Sequence, residues 1–444
     1  MSAAQCASAS HRASAAHPSA AHSAEEPTLS PRAAYPGRSA RLPTLAGLRW
    51  VLLAVVVVVM GIAGGQLLRA LPAQAVDRAL PATLTVPGPT QRWPWPAQGE
   101  AALAIRGLGP VGSFGGESAV PIASLTKMMT AYLVLSDHPL TSATDGPVLT
   151  IDAADVADYA AGARSAQSVV RVAVGERLTE RQALQAVLVP SANNIARTLA
   201  RWDAGNVALF VARMNATAAR LGMSHTRYAG PSGLGVGSVS TAGDQLLLVQ
   251  AAMRIPAFAQ IVAEPEIRLP VAGRLFNFDY NVGHDGFIGV KTGSDYAAGG
   301  CWAFAAHRTV AGRVVVVYGV VLGQRGGTQL LQPALDAGRR LADAVPTVLR
   351  RVTVLARGVV VGDLVAPWRP ADPLVTGAAL TLLARPGQRL TVQVALSVPT
   401  RRALPAGSRI GTLTVTGVAG PVQLPVLLAE STPGPTLLWR LTRR

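Results

Sequence analysis

Lysine is nearly missing from this chain. Of 40 basic residues in 444, two are lysine, Lys127 and Lys291, and 38 are arginine. Arginine therefore serves wherever a generic positive charge is wanted. Its guanidinium stays protonated, whereas a desolvated ε-amine can lose its proton and act as a base. The two positions that keep lysine are thus candidates for amine chemistry. Cysteine is as scarce. Cys6 and Cys301 cannot staple a chain of this size and fall on opposite sides of a long apolar segment, so no disulfide is expected. Cys301, in a strand-like run, is expected to be a small buried apolar residue. The seven histidines (His11, His17 and His22 near the N-terminus, then His138, His225, His284 and His307) share no ligand spacing, so neither a metal nor another cofactor is expected. Acids number only 24, leaving a formal charge of +16. The arginines nevertheless come singly or in scattered pairs (Arg339-Arg340, Arg350-Arg351, Arg401-Arg402) without interleaved aromatics. That pattern argues against a nucleic-acid partner and for dispersed, solvated charge.

One long apolar run stands out. Trp50–Leu68 is 19 residues with a single polar member, Gln66, between Arg49 and Arg69. At ~1.5 Å per residue it can cross a bilayer core of ~30 Å. Arg32, Arg38, Arg41 and Arg49 precede it, which favours a cytoplasmic N-terminus and an exported remainder. A signal anchor over 49–69 is expected at the cell membrane, single-pass. Cleavage near Ala73-Gln74-Ala75 and secretion is the alternative, and both export the same domains. Residues 1–48, rich in Ala, Ser, Pro and His without periodicity, are expected to be disordered. Residues 70–98, with Pro72, Pro81, Pro87, Pro89, Pro94 and Pro96, are expected to form an extended linker.

Residues 99–345 show strand, then helical, then strand patterns. Met128, Met129, Tyr132 and Leu133 continue a helical stripe after Ser124. Thr179 and Gln182 form a capping box. Val207, Phe210, Val211, Met214, Ala218 and Leu221 mark an amphipathic helix ended by Gly222. Strands are expected at Phe287–Lys291, Cys301–Ala306 and Arg313–Leu322, then a helix near Leu330–Ala344. The fold class is α/β (α+β) with a helical insertion. Residues 346–444 hold short β-rich runs at Val352–Val361, Ala379–Leu383, Leu390–Val398, Arg409–Val415 and Val422–Leu428, expected as a small all-β domain without chemistry of its own.

The chemistry gathers around the two lysines. In Ser124-Leu125-Thr126-Lys127 the serine and lysine lie one helical turn apart and project from the same face. A serine hydroxyl is a poor nucleophile until a base takes its proton, and an amine enclosed by positive charge and little water has the lowered pKa for that work. Lys291-Thr292-Gly293 follows the apolar strand Phe287–Val290. A cation, a hydroxyl and a bare glycine on a strand would let a substrate backbone lie alongside while its carboxylate is held. Ser191-Ala192-Asn193, after Pro190, presents a second serine and an amide suited to shuttling a proton and fixing a substrate amide. Any one of these is weak. Their order and spacing, with both lysines used, carry the weight.

The set resembles the S-x-x-K, S-x-N and K-T-G motifs of penicillin-binding proteins and β-lactamases, and most closely the low-molecular-mass D-alanyl-D-alanine carboxypeptidases. Flanking residues agree: Pro121-Ile122-Ala123, Gly175-Glu176-Arg177-Leu178-Thr179, Gly230-Pro231-Ser232-Gly233-Leu234, Ser240-Thr241-Ala242-x-Asp244 and Asp285-Gly286. The resemblance implies a β-lactamase-like catalytic domain and removal of the terminal D-alanine from peptidoglycan stem peptides through an acyl-enzyme, with β-lactams as covalent inhibitors. It implies Ser124 as nucleophile, Lys127 as its base, Ser191 and Lys291 as the path of a proton to the leaving D-alanine, and Asn193 on the acyl-side amide. Thr292 would hold the terminal carboxylate, Gly293 would admit the substrate strand, and the N–H groups of Ser124 and Ser294 would form an oxyanion hole. Arg325, 34 residues beyond Lys291, is a further candidate for the carboxylate. Two departures stand out. Asn194 replaces the family's usual acid after Ser-x-Asn, and Ile288-Gly289-Val290 lengthens the approach to Lys291. A β-lactamase is disfavoured because no glutamate occurs between Glu180 and Glu264. An endopeptidase or transpeptidase acting on cross-links, or a catalytically silent wall-binding protein, are the remaining alternatives.

Overall fold

The computed structural model describes residues 45–443 apart from 117, 328, 398–402 and 418–419. Most of the expected disordered tail, with Cys6, and the last residue of the expected strand Leu390–Val398 lie outside the described residues. The chain divides into two units between Arg69 and Ala70. The first holds α1, Leu45–Leu68, whose stretch Gly47–Leu68 is long and apolar enough to cross a membrane. Its valines, Leu48, Leu52, Leu53, Leu68 and Met60 are exposed around the helix, an all-round apolar surface rather than a one-sided stripe.

The second unit is built on a five-stranded antiparallel sheet with the order Phe287–Asp295, Gly299–Val310, Arg313–Gln324, Glu100–Ile105 and Gly109–Phe114. Its second strand, Gly299–Val310, explains why the sequence there reads as continuous apolar rather than alternating. Cys301, Ala303 and Ala305 enter one core, while Trp302, Phe304 and Ala306 enter the other. Side chains alternate along a strand with period two, so covering both faces demands an unbroken apolar run. The first core packs beneath α2 (Thr126–Asp137), α4 (Glu180–Leu188), α5 (Asn193–Ala204), α6 (Val207–Arg220), α7 (Ala242–Ala252) and α8 (Pro256–Val262), with α3 (Ala153–Arg164) packed on α5. The second packs beneath α9, Gln332–Val348. The helical insertion read from the sequence is thus the layer on one sheet face.

Local chemistry sets the helix starts. Thr179 accepts from Gln182 N while Gln182 reaches back to Thr179 N, the expected capping box and worth about 1 kcal/mol. Asn206 and Thr241 cap α6 and α7 one way only, their side chains accepting from Leu209 N and Asp244 N.

The stretch 70–98 departs from the expected free linker. Ala75–Arg78 and Thr83–Thr85 become the two outer strands of a seven-stranded sheet, whose inner strands are Val360–Ala366, Arg369–Thr376, Gly420–Leu428, Arg409–Gly417 and Arg389–Leu396. The prolines of this stretch fall outside both strands, so each can pair along the one edge that an outer strand requires. The expected run Val352–Val361 is two strands, Arg350–Leu355 and Val360–Ala366. The strand Arg369–Thr376 has no counterpart among the expected ones. Its Pro370 and Pro373 hid it, and both lie outside the Leu374–Thr376 stretch that pairs with Gly420–Leu428.

Candidate active site

Ser124 lies in a short 3-10 turn, Ala123–Leu125, that runs into α2. Ala123 is held at φ 45°, a conformation that costs a non-glycine residue on the order of 1–3 kcal/mol. The loop carrying Gly233 over-determines it: a Cβ at Gly233 would stand 1.9 Å from the Ala123 carbonyl oxygen, so only glycine fits. One helical turn on, Lys127 Nζ donates to Ser124 Oγ at 2.8 Å and to the Ser232 carbonyl at 2.8 Å. Lys127 is fully buried. Loss of hydration lowers its pKa well below the ordinary lysine value, and the nearby Lys291 charge lowers it further. Both causes disfavour the ammonium, which is what a base acting on a serine hydroxyl requires.

Lys291, Thr292 and Gly293 occupy the edge strand of the central sheet, and all three are buried. The register opposes Gly293 to Cys301 and Lys291 to Ala303. A Cβ on Gly293 would lie 2.8 Å from Ser124 N. The strand therefore runs against the backbone of the serine, and any larger residue would push the two apart. The extra residues Ile288 and Gly289 are absorbed where the register shifts between Phe287 and Val290. A bulge at that point restores the pleat before Lys291.

Lys291 Nζ donates to the Thr292 carbonyl at 2.9 Å. Burial draws its pKa down to about 7, against a smaller opposing pull from Asp279. Asp279 was not singled out in the sequence. It accepts from Trp302 Nε1 at 2.8 Å and from Asn281 N at 3.1 Å, and burial raises its own pKa. No local motif announces it, because its proximity to Lys291 is made by the sheet. Ser232 was noticed only as a flanking residue, yet its carbonyl accepts from the Lys127 amine.

Ser191 sits at φ 63° and is buried, and its Oγ has no partner among the described residues. Asn193 opens α5. Its Nδ2 donates to Gln167 Oε1 at 3.3 Å, while its Oδ1 is without a partner among the described residues. Two buried polar atoms left open are unfilled hydrogen-bonding capacity. Asn194, where an acid was expected, clamps the preceding loop: it donates to the Val170 carbonyl at 2.9 Å and accepts from Val170 N at 3.0 Å. A carboxylate could accept there but not donate. Arg325 is placed differently from the rest. Its guanidinium donates to the Tyr296 carbonyl at 2.9 Å and the Ala297 carbonyl at 2.5 Å, bracing the turn after the Lys291 strand. Cys301 is buried, with its thiol pKa pushed up to about 12 by desolvation, so it is an inert apolar residue, as its sequence context suggested.

The Lys291 pKa carries a stability consequence. Below about pH 7 both folded and unfolded chains hold this proton, and above the ordinary value of 10.5 neither does. Between them the unfolded chain binds more protons. Stability therefore rises with pH across that window by about 1.4 kcal/mol per unit and is lost as pH falls back through the folded value. Thermal unfolding of the parent should gain on that of Lys291→Met between pH 7 and 9. Parallel pH profiles would contradict a neutral buried amine.

A helical layer over an antiparallel sheet, with serine and lysine at the helix start and a second lysine on the edge strand, defines a penicillin-binding type of serine-peptidase site. Residues 116–325 match the D-alanyl-D-alanine carboxypeptidase family. The chain is 38% identical over 211 residues to the D-alanyl-D-alanine carboxypeptidase DacB2 of Mycobacterium tuberculosis, covering 45% of this chain and 67% of that protein. It is 40% identical over 148 residues to a D-alanyl-D-alanine endopeptidase of Pseudomonas aeruginosa, covering 33% of this chain and 44% of that one. The crystal structure of a peptidoglycan synthesis regulatory factor, PBP3, from Streptococcus pneumoniae shares the fold, with TM-score 0.56 and 21% identity over 76% of this chain and 99% of that one. The chain belongs to the D-alanyl-D-alanine carboxypeptidase family.

Proposed function

We propose that this chain is a serine-type D-alanyl-D-alanine carboxypeptidase that removes the terminal D-alanine from peptidoglycan stem peptides. The observation that carries the proposal is the 2.8 Å contact between Lys127 Nζ and Ser124 Oγ around a fully buried amine. Lys127 takes the hydroxyl proton as Ser124 Oγ bonds to the carbonyl carbon of the penultimate D-alanine. The N–H groups of Ser124 and Ser294 hold the developing oxyanion, a contact worth about 3 kcal/mol per donor. Gly293 leaves room for the substrate backbone beside Ser124 N. As the intermediate collapses, the C–N bond breaks and the leaving amine receives a proton by way of Ser191 and Lys291. Lys291 and Thr292 hold its carboxylate, and Asn193 holds the amide on the acyl side. Water then cleaves the ester and regenerates Ser124. Arg325 is left out of this scheme because its nitrogens are engaged at the turn.

The family supports β-lactams as covalent inhibitors of the same serine. Incubating the full chain with a pentapeptide and with a cross-linked muropeptide separates the activities. Release of D-alanine from the pentapeptide is the expected result. Cleavage of the cross-link alone would make the protein an endopeptidase instead. The apolar helix Gly47–Leu68 supports a cell-membrane anchor with Ser124 outside the cytoplasm. A reporter fused after residue 98 should be active only when exported, and cytoplasmic activity would overturn this topology together with the wall substrate.

A further inference from the structure

We propose that the cavity beside Asn193 is an acyl-side subsite in which Arg197 reads a carboxylate on the side chain preceding the penultimate D-alanine, which deepens the function proposed above and rests on it. The cavity holds about 400 Å³, and its lining includes Asn193, Ser232, Arg197, Asp158 and Gln167. It is therefore continuous with the catalytic centre, since Asn193 and Ser232 belong to both.

The helix α5 makes the juxtaposition. Asn193 and Arg197 are four residues apart, one turn or ~6 Å along the axis, and share a face. A substrate amide gripped by Asn193 thus directs the neighbouring side chain along α5 toward Arg197. A chain of glutamate's length or longer spans that distance.

The polar wiring decides the charge that fits. Asp158, from α3, faces a guanidinium at each oxygen: Oδ1 lies 3.0 Å from Arg197 Nε and Oδ2 lies 2.7 Å from Arg201 Nη1, both as ion pairs. Arg201 is tied in turn to Asp155 at 2.5 Å, and Asp155 accepts from Thr198 Oγ1 at 2.6 Å. The acid is therefore spent from behind and offers little to an incoming amine. Arg197 keeps 47% of its side chain exposed. Only its Nε is engaged, and its two terminal nitrogens donate to none of the described residues. An aimed guanidinium with its outer nitrogens open is the geometry that takes a carboxylate in a two-point grip. Asp158 acts as a positioning residue that holds the fork in place.

The test uses the full chain in detergent and two peptides, N-acetyl-L-α-aminoadipyl-D-alanyl-D-alanine and its side-chain primary amide, which differ only in the charge at the end of the side chain. Covalent penicillin capture counts the competent molecules in each preparation. The parent should prefer the carboxylate by about 10- to 100-fold in kcat/KM, mostly through KM. Arg197→Gln should bring that ratio to about one, and Arg197→Lys should keep an intermediate preference, because an ammonium supplies charge without the planar fork. A parent with no preference, or an R197Q variant that keeps it, would overturn the subsite. Should neither peptide release D-alanine, the same pair is compared as competitors that slow penicillin capture. Stronger protection by the carboxylate, lost in R197Q, would then support the subsite while refuting the carboxypeptidase activity. Equal protection by both peptides would overturn the subsite itself.

Discussion

Ser124→Ala is expected to abolish covalent capture of benzylpenicillin, with intact-mass measurement showing one adduct on the parent and none on the variant. The expectation rests on where Ser124 lies rather than on its motif alone. It is the hydroxyl hydrogen-bonded to the buried Lys127 amine, and its backbone N–H faces Gly293 on the edge strand. Ser191 is the competing nucleophile within the proposed site, but its Oγ has no partner among the described residues and so no base in contact. An unactivated hydroxyl at ordinary pH reacts slowly. An adduct that persists at full stoichiometry in Ser124→Ala would transfer the nucleophile to another residue and sink the assignment.

Lys127→Arg should slow acylation by a factor on the order of 100 to 10,000, the usual span for removing a general base. Arginine preserves the positive charge but stays protonated at any pH the protein survives. It is also larger and planar in a fully buried position that now fits an amine between Ser124 Oγ and the Ser232 carbonyl. The two losses are separable. Lys127→Met removes the base without the extra bulk or charge, so a similar rate for both variants assigns the defect to lost proton transfer. Stopped-flow measurement of acylation by a chromogenic β-lactam reads both rates. Parent-like acylation in Lys127→Arg would show that Lys127 is not the base, and the survival of lysine at two positions would be only a trace of biased composition.

Much of the site was legible because its parts are short and local. Ser124 and Lys127 are one helical turn apart, a relation that holds in any helix. Lys291, Thr292 and Gly293 are consecutive on a strand. The Thr179 cap and the Gly222 helix stop are equally local, and the structure places each as the sequence suggested. Arg325 was chosen on sequence distance alone, and distance along the chain does not specify where a long side chain ends. Its guanidinium went to the nearest open carbonyls, those of Tyr296 and Ala297.

The sequence by itself determined the candidate site residues, the apolar helix, the buried central strands and the β-rich character of the C-terminal part. Each of these follows from residue type and periodicity, which act over a few positions. Tertiary structure alone decided the rest. It placed Asp279 near Lys291 and set the Ser232 carbonyl on the Lys127 amine. It also made Ala75–Arg78 and Thr83–Thr85, on either side of Pro81, the outer strands of a sheet whose other members begin at Val360. These relations join positions that share no local pattern, and they exist only because burying apolar faces and pairing backbone groups brings distant segments together. The same packing removes water from the two lysines. It thereby lowers the pKa values of both amines, a response that an arginine at either position would not show.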